Sequence, residues 1–143
     1  MKVFKLSVKE SRIHTLAQIN VLLRELSPEA ASVSWQDVYE VVQNGRFFLV
    51  SNDEQRIVAM GLLATVRKLT GWECRIEELV VLESFRGQGI ARQLVQAMIV
   101  EARTMNASHI ELTSKPEREA ANQFYLKTGF RPRETNVYRL DLR

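Results

Sequence analysis

The stretch EELVVLESFRGQGIARQLV, Glu77 to Val95, changes character three times within nineteen residues. Two acids are followed by Leu79–Leu82, which is apolar at every position and predicts a strand that is covered on both faces. A basic, glycine-rich turn comes next, and a helix is predicted from about Gly89 to Met105. Glycine is a poor residue with which to begin a helix for stability alone, so the turn calls for another explanation.

A strand, a glycine-rich turn and a helix start together expose backbone N–H groups at the positive end of a helix dipole, which favours an anion. Gly87 and Gly89 would let a phosphate approach the backbone closely, and Arg86 adds a positive charge with bidentate reach. The stretch is neither GxxxxGK[ST] nor GxGxxG, because it lacks the required Lys, Ser or Thr, and position 92 is Arg. The alternative is a tight turn that binds nothing.

Periodicity over the rest of the chain predicts an alternation of strands and helices typical of an α/β domain. Strands are predicted at Lys2–Val8, in RFFLVS, RIVAMGLLATVRK, RIEELVVL, HIELTS and NVYRLDL, and helices at Glu10–Leu26, from Ser34 to about Gln43, in the stretch above and in PEREAANQFYLKTG. NDEQ between the second and third strands predicts a hairpin turn. The order predicts a mostly antiparallel sheet with one parallel pair and helices on both faces.

Composition restricts the class of protein. The chain has 143 residues, which predicts one domain spanning 1–143. No apolar run approaches the ~20 residues of a membrane span, and the charged, alternating N-terminus is unlike a signal peptide. The single Cys74 excludes an internal disulfide and a cysteine-based metal site, and it fits a reducing cytosol. The net charge of +3 is too weak to predict nucleic-acid binding.

Two motifs resemble the GNAT family of N-acetyltransferases, and the order of the elements matches that family as well. VVLESFRGQGIARQLV is similar to its acetyl-CoA loop, in which Arg86, Gly89 and Ala91 fill the pattern Arg/Gln-x-x-Gly-x-Gly/Ala. About thirty residues later AANQFYLKTGF resembles its second signature, a helix that carries Phe-Tyr and then Gly-Phe. The resemblance implies a single α/β domain whose mixed, mostly antiparallel sheet has six to seven strands flanked by about four helices.

The resemblance also implies where acetyl-CoA binds. The backbone at the splayed end of the fourth strand would bind the pantetheine arm as an added strand would; these residues are Leu79, Val80, Val81 and Leu82. The backbone N–H groups of the loop would bind the pyrophosphate; these residues are Gly87, Gln88, Gly89, Ile90, Ala91 and Arg92.

The Phe-Tyr helix places Arg118, Asn122 and Tyr125 on one face, since they are spaced by four and three residues. In the family the matching Tyr lies near the thioester sulfur and protonates the departing thiolate, and an Asn such as Asn122 could bind the pantetheine amides. The family often has Asn where Arg118 stands, so this sequence departs from the pattern there, and Arg118 could instead reach a phosphate or an acidic substrate. The alternative for Tyr125 is a core aromatic whose hydroxyl is satisfied.

An amine must be neutral to attack a thioester, and a lysine-like amine is neutral only about once in 2,500 at pH 7. A proton acceptor is therefore expected, and family members often use an acid on the fourth strand. Glu77 and Glu78 are the candidates, and alternation of side chains alone does not choose between them. Both could equally be solvated at the strand's start. Tyr138 is a candidate for lining the acceptor pocket.

These observations predict an acetyl-CoA-dependent N-acetyltransferase that acts by direct attack in a ternary complex, without a metal ion. Cys74 has no obvious His partner and is interpreted as structural. The acceptor would be a small-molecule amine or a protein or peptide amine, and neither nucleic acid nor membrane is expected as a partner. Cytoplasmic localisation is expected, and a homodimer is common in the family. The alternative is a non-catalytic acyl-CoA-binding regulatory module on the same fold.

Overall fold

A mixed sheet of five strands organises the first part of the chain in the computed structural model, which describes residues 1–7 and 13–143. The strands are β1 (Lys2–Lys5), β2 (Gly45–Ser51), β3 (Ile57–Lys68), β4 (Gly71–Val81) and β5 (Ala107–Glu111). They lie side by side in that order, antiparallel from β1 to β4 and parallel between β4 and β5. The mostly antiparallel sheet with one parallel pair is confirmed.

The chain divides into two compact units, Met1–Leu112 and Thr113–Arg143. The first unit holds the sheet and the helices α1 (Ile13–Leu26), α2 (Trp35–Asn44) and α3 (Ile90–Thr104), and the second holds α4 (Glu119–Thr128). The four predicted helices are therefore confirmed, although the predicted start of α1 and the end of β1 fall on residues 8–12, outside the described residues. None of the described helices is long and apolar enough to cross a bilayer.

Local sequence signals account for the boundaries of α2 and of the β2–β3 hairpin. Ser34 caps α2 by a capping box, in which its hydroxyl accepts from the Asp37 N–H at 3.3 Å and Asp37 Oδ2 accepts from the Ser34 N–H at 2.7 Å. In the predicted turn, Asn52 Oδ1 accepts from the Arg56 N–H at 2.9 Å. Such side-chain-to-backbone bonds are the reason that Ser, Asp and Asn favour these positions.

The last predicted strand is wrong. NVYRLDL contains no strand, and residues 130–143 hold neither helix nor strand. The sheet accordingly has five strands in the described residues, fewer than the six to seven expected. Alternation alone does not make a strand, and here the apolar side chains of Val137, Tyr138, Leu140 and Leu142 stay 78–88% exposed. The fourth strand also begins earlier than predicted, at Gly71.

Helices lie on both faces of the sheet, as predicted. Met60 belongs to a buried cluster with Ile19 and Leu22 of α1. A Cβ built on the next residue, Gly61, would come within 2.5 Å of Met98 Cε of α3. Because successive residues of a strand face opposite sides, α1 and α3 cover opposite faces.

A small ionic network ties α3 to the first two strands. The Glu101 carboxylate, only 15% exposed, accepts from Lys5 Nζ at 2.8 Å and from Arg46 Nε at 3.0 Å. Burial raises the pKa of the Glu101 carboxyl, but the hydrogen bonds and charges of Lys5 and Arg46 outweigh burial, so its pKa lies below the usual value. The ionised form is therefore the one that stabilises the fold.

We expect Glu101→Gln to lower the free energy of unfolding by about 1 kcal/mol at pH 7, a modest loss because both partner cations are more than one third exposed. A depressed pKa contributes stability above the unfolded-state value of 4.5 and loses it as pH falls through the folded-state value. Urea unfolding of both proteins from pH 7 to pH 3 should show the difference shrinking with acid. Glu54→Gln, in the exposed β2–β3 turn, is the control, and a difference that persisted unchanged at pH 3 would contradict the ionic explanation.

Candidate active site

The end of β4 contains a β-bulge. Met60 lies opposite Val80 and Leu62 opposite Glu77, so Gly61 alone opposes both Glu78 and Leu79. Glu78 takes the left-handed backbone conformation, with φ of 51°. Strands bend at such bulges, and here the bend comes just before the predicted pantetheine-binding residues.

The bulge changes which face the later residues of β4 occupy. Directly opposed residues of antiparallel strands share a face, so Glu77 lies on the side of Leu62, which packs against the α1 cluster. Val80 lies on that side too, opposite Met60, although it is three positions after Glu77 and regular alternation would put it on the other side. The regular alternation of side chains between the two faces of the sheet therefore ends at Glu78. Alternation alone does not show which face Glu77 and Glu78 each occupy.

The outer edge of β4 is unpaired beyond Arg75. The parallel pairing with β5 ends at Arg75 and Glu111, while β4 continues to Val81 against β3. Within the described sheet, the backbone groups of residues 76–81 that point away from β3 have no strand partner. An exposed sheet edge of this kind accepts an extended ligand through backbone hydrogen bonds.

The residues predicted to bind pantetheine differ in burial and in whether their backbone groups already have hydrogen-bond partners. Val80 and Leu82 are buried, and Leu79 and Val81 are partly exposed. The Leu82 N–H donates to the Val58 carbonyl at 2.9 Å, so it already has a partner. The Val81 carbonyl accepts from Arg86 Nε at 3.0 Å.

The glycine loop joins β4 to α3 through a short 3-10 turn, Glu83–Phe85. Gly87 and Gly89 adopt φ of 76° and 77°, a conformation that costs other L-residues about 1–2 kcal/mol. A Cβ at either position would meet no atom of the described residues within 4 Å, its own chain neighbours apart. Their need for glycine therefore comes from backbone conformation, and the space beside both is open.

The start of α3 presents unbonded amides at this open space. The first bond of the helix runs from the Gln93 N–H to the Gly89 carbonyl at 3.1 Å. The N–H groups of Ile90, Ala91 and Arg92 precede it and have no partner within the helix. Gln88, Gly89 and Arg92 are exposed. With the dipole of a fifteen-residue helix behind them, these amides suit an anion.

The guanidinium of Arg86 already has hydrogen-bond partners within the protein. Besides its bond to Val81, it places Nη2 3.1 Å from Glu25 Oε1 of α1. The same carboxylate oxygen accepts from the Glu83 N–H at 3.0 Å. Nothing in the local sequence indicates this contact, because Glu25 and Arg86 are 61 positions apart.

The two candidate bases differ in their surroundings. Glu77 Oε1 accepts from Arg75 Nε at 3.2 Å, so its charge is compensated. The carboxylate of Glu78 has no hydrogen-bonding or ionic partner among the described residues. Glu78 is exposed to solvent, but partial desolvation of its carboxyl, and after it the negative charge of Glu77, raises the pKa of that carboxyl. A raised pKa brings a carboxylate closer to the range in which it accepts a proton usefully.

In the second unit, α4 carries Tyr125 within an aromatic group. The ring centroids of Phe124 and Phe130 lie 5.3 and 5.9 Å from that of Tyr125, both in edge-to-face geometry. Burial raises the pKa of the Tyr125 phenol, and the charge of Arg118 offsets part of that rise. The phenol is therefore protonated at neutral pH and able to donate.

The other two predicted residues of α4 serve its first turn. Arg118 is the N-cap, and its carbonyl accepts from the Asn122 N–H at 2.9 Å. The Asn122 side chain donates to the Lys115 carbonyl at 2.9 Å and holds the loop before the helix. Only Asn122 and Tyr125 lie within the helix, three residues apart, because Arg118 precedes its first turn, and the amide of Asn122 already has a local partner.

Comparison with known proteins identifies the family. The Acetyltransferase (GNAT) family profile matches residues 16–130. Aminoalkylphosphonate N-acetyltransferase of Salmonella typhimurium is 42% identical over 60 residues, which are 42% of this chain and 39% of that protein. N-alpha-acetyltransferase 30 of Schizosaccharomyces pombe is 33% identical over 93 residues, 64% of this chain and 62% of that protein. The chain therefore spans less than two thirds of the length of these curated relatives.

A solved structure supports the same fold over nearly the whole chain. The aminoglycoside N-acetyltransferase AAC(6')-Iy, solved in complex with CoA, has a TM-score of 0.82 at 17% identity and covers 99% of this chain and 94% of its own. The family profile spans the bulged strand, the glycine loop and α4 alike. The chain belongs to the GNAT family of acetyltransferases.

Proposed function

We propose that this protein is an acetyl-CoA-dependent N-acetyltransferase that moves an acetyl group to a primary amine by direct attack in a ternary complex. One observation carries the proposal: one short turn and a glycine loop join the unpaired end of β4 to amides at the start of α3 that have no partner within the helix, and the space beside both loop glycines is open. An anion site next to a free strand edge suits a ligand that joins a pyrophosphate to an extended amide-containing arm. Membership of the GNAT family supports this assignment.

In this proposal the ligand is held mostly by the main chain. The amides from Gly87 to Arg92 bind the pyrophosphate, and the outward backbone groups of Leu79–Leu82 bind the pantetheine arm. The guanidinium of Arg86 keeps donors beyond the two used within the chain, since arginine has five. Arg118 and Asn122 are assigned to the same ligand by the family motif that they occupy.

Glu78 is the proposed proton acceptor for the incoming amine. An ammonium group has no lone pair, and suppression of the neutral form at pH 7 is equivalent to roughly 4.6 kcal/mol for a lysine-like amine. Glu78 has the raised pKa and the uncompensated carboxylate, whereas Glu77 is paired with Arg75. It accepts the proton lost by the nitrogen as the new C–N bond forms, directly or through water.

Tyr125 is the proposed proton donor to the departing sulfur. When the C–S bond breaks, the electron pair stays on sulfur, and a thiolate with pKa ~8.5 accepts a proton from a suitably placed phenol. The raised pKa of Tyr125 keeps that proton in place at neutral pH. Counted from the neutral amine, the two transfers balance: Glu78 takes one proton from nitrogen, Tyr125 gives one to sulfur, and proton exchange with water restores both side chains. An amine that arrives as the ammonium ion first loses its extra proton to water.

An acyl-enzyme on cysteine is disfavoured. Cys74 is fully buried in the sheet, and burial, its principal influence, raises the pKa of its thiol. A buried thiol that resists ionisation is a poor nucleophile. Direct attack by the amine therefore fits the chain better than a two-step transfer.

The acceptor is proposed at the level of a class. The names of two relatives specify an aminoalkylphosphonate and, for an N-alpha-acetyltransferase, an α-amino group. Both are primary amines, which is what the proposed chemistry requires. A panel of small amines, amino acids and peptides separates the small-molecule alternative from the peptide alternative.

We expect Gly89→Ala to weaken CoA binding at least tenfold, a loss of about 1.4 kcal/mol, because the new methyl group enters the space beside the amides. Isothermal titration with CoA measures the change. Gly71→Ala is the matched control, since Gly71 also has a positive φ of 132° and open surroundings but lies in the β3–β4 turn. Equal affinity of Gly89→Ala and the wild type would contradict the role of the loop.

We expect amine-dependent release of CoA thiol from acetyl-CoA, with kcat about 100-fold lower in Tyr125→Phe, because a positioned general acid contributes at least that much. The assay uses the amine panel, and CoA affinity is measured on the same samples to separate binding from chemistry. Binding of acetyl-CoA without turnover on any amine would instead favour a non-catalytic acyl-CoA-binding module.

We expect kcat/KM to fall at acidic pH with an apparent pKa above the ordinary 4.5 of a glutamate, because Glu78 must be ionised to accept a proton. Glu78→Gln should abolish this acidic limb and lower kcat about 100-fold. Glu77→Gln should keep kcat and move the limb to lower pH, since it removes a neighbouring negative charge. If Glu77→Gln caused the larger loss of kcat, the base would be Glu77.

A further inference from the structure

The carboxylate of Glu25 joins α1 to the turn that leads into the glycine loop. A single oxygen, Oε1, accepts from the Glu83 N–H at 3.0 Å and from Arg86 Nη2 at 3.1 Å. The Glu25 side chain is 28% exposed and lies in the last turn of α1. One acid thus contacts both ends of the Glu83–Arg86 turn.

Arg86 also links the turn to the sheet. Its Nε donates to the carbonyl of Val81, the last residue of β4, at 3.0 Å, and its own N–H donates to the Glu83 carbonyl at 3.1 Å. The turn is therefore fixed to the strand before it and to α1 beside it. Gly87 follows immediately, so the fixed turn sets the direction in which the loop leaves.

Because Gly87 and Gly89 lack side chains, the glycine loop depends on contacts made by neighbouring residues. Gly87 and Gly89 have no side chains, and their surroundings are open, so no packing of their own holds the loop. Glycine also has the greatest backbone freedom in the absence of constraints. The amides that precede the first helical bond can form a fixed site only if the residues before the loop are held.

We propose that Glu25 is a positioning residue for the acetyl-CoA loop, a role that rests on the proposed function. It acts through the Arg86 guanidinium and the Glu83 N–H, without touching the ligand. The arrangement makes α1 part of the support of the cofactor site. Loss of the Glu25 charge should therefore weaken binding of CoA and leave the chemical step unchanged.

The first test is the affinity for CoA of Glu25→Gln, measured by isothermal titration. We expect the dissociation constant to rise about fivefold, the scale of a partly exposed charged pair. Glu25→Ala should lose more, because it also removes the acceptor for the Glu83 N–H. Glu40→Gln is the control, since among residues 1–7 and 13–143 the Glu40 carboxylate accepts only from the exposed Gln36 side chain, at 3.0 Å.

The second test separates positioning from general stability. In an Arg86→Met background, Glu25→Gln should have little further effect on CoA affinity, because its partner is already gone. In the wild-type background it should raise KM for acetyl-CoA with kcat unchanged. If the role of Glu25 were purely structural, Glu25→Gln would lower the unfolding temperature. The effects of the two substitutions on CoA affinity would then add in the double variant.

The outcomes are distinct. Wild-type-like affinity of Glu25→Gln, or additivity with Arg86→Met, overturns the positioning role while the proposed function stands. Tighter binding by Glu25→Gln also overturns it, because Glu25 would then be neutralising a cation that the ligand needs. Failure of the wild-type protein itself to bind CoA overturns the proposed function and this inference with it.

Discussion

The candidate site depends on the point at which β4 loses its parallel partner. Hydrogen bonding to β5 ends at Arg75, six residues before β4 itself ends, and the bulge at Glu78 bends the strand within that interval. Backbone groups left without a strand partner are costly unless water or a ligand satisfies them. The proposed ligand arm satisfies them, and the same bend leads the chain towards the glycine loop.

Because of the bulge, β4 contributes buried side chains to both faces of the sheet. Cys74 and Ile76 are buried before it, and Val80 and Leu82 are buried after it, all at even positions. The extra residue reverses the face, so only the later pair belongs to the cluster that includes α1. The cost is a left-handed Glu78, and the result is an acid with raised pKa at the junction.

Much of this fold could be predicted from periodicity and caps, because helices and paired strands leave regular signals. The last strand is predicted wrongly because alternation at Tyr138 and Leu140 does not reveal whether the segment pairs with another strand. The bulge was missed because a two-against-one pairing has no sequence signature in the strand. The anion loop was predicted from its glycines, but the Glu25 contact to Arg86 exists only through the tertiary fold.

The glycine loop is proposed to bind through its main chain, and this has a consequence for how the sequence can diverge. A backbone amide donates the same hydrogen bond whatever side chain its residue carries. The exposed Gln88 and Arg92 can therefore be replaced by residues of other charge and size while the loop keeps its function. Variation among descendants should then concentrate at such positions and spare the two glycines. Differences in loop chemistry would consequently say little about which amine each descendant acetylates.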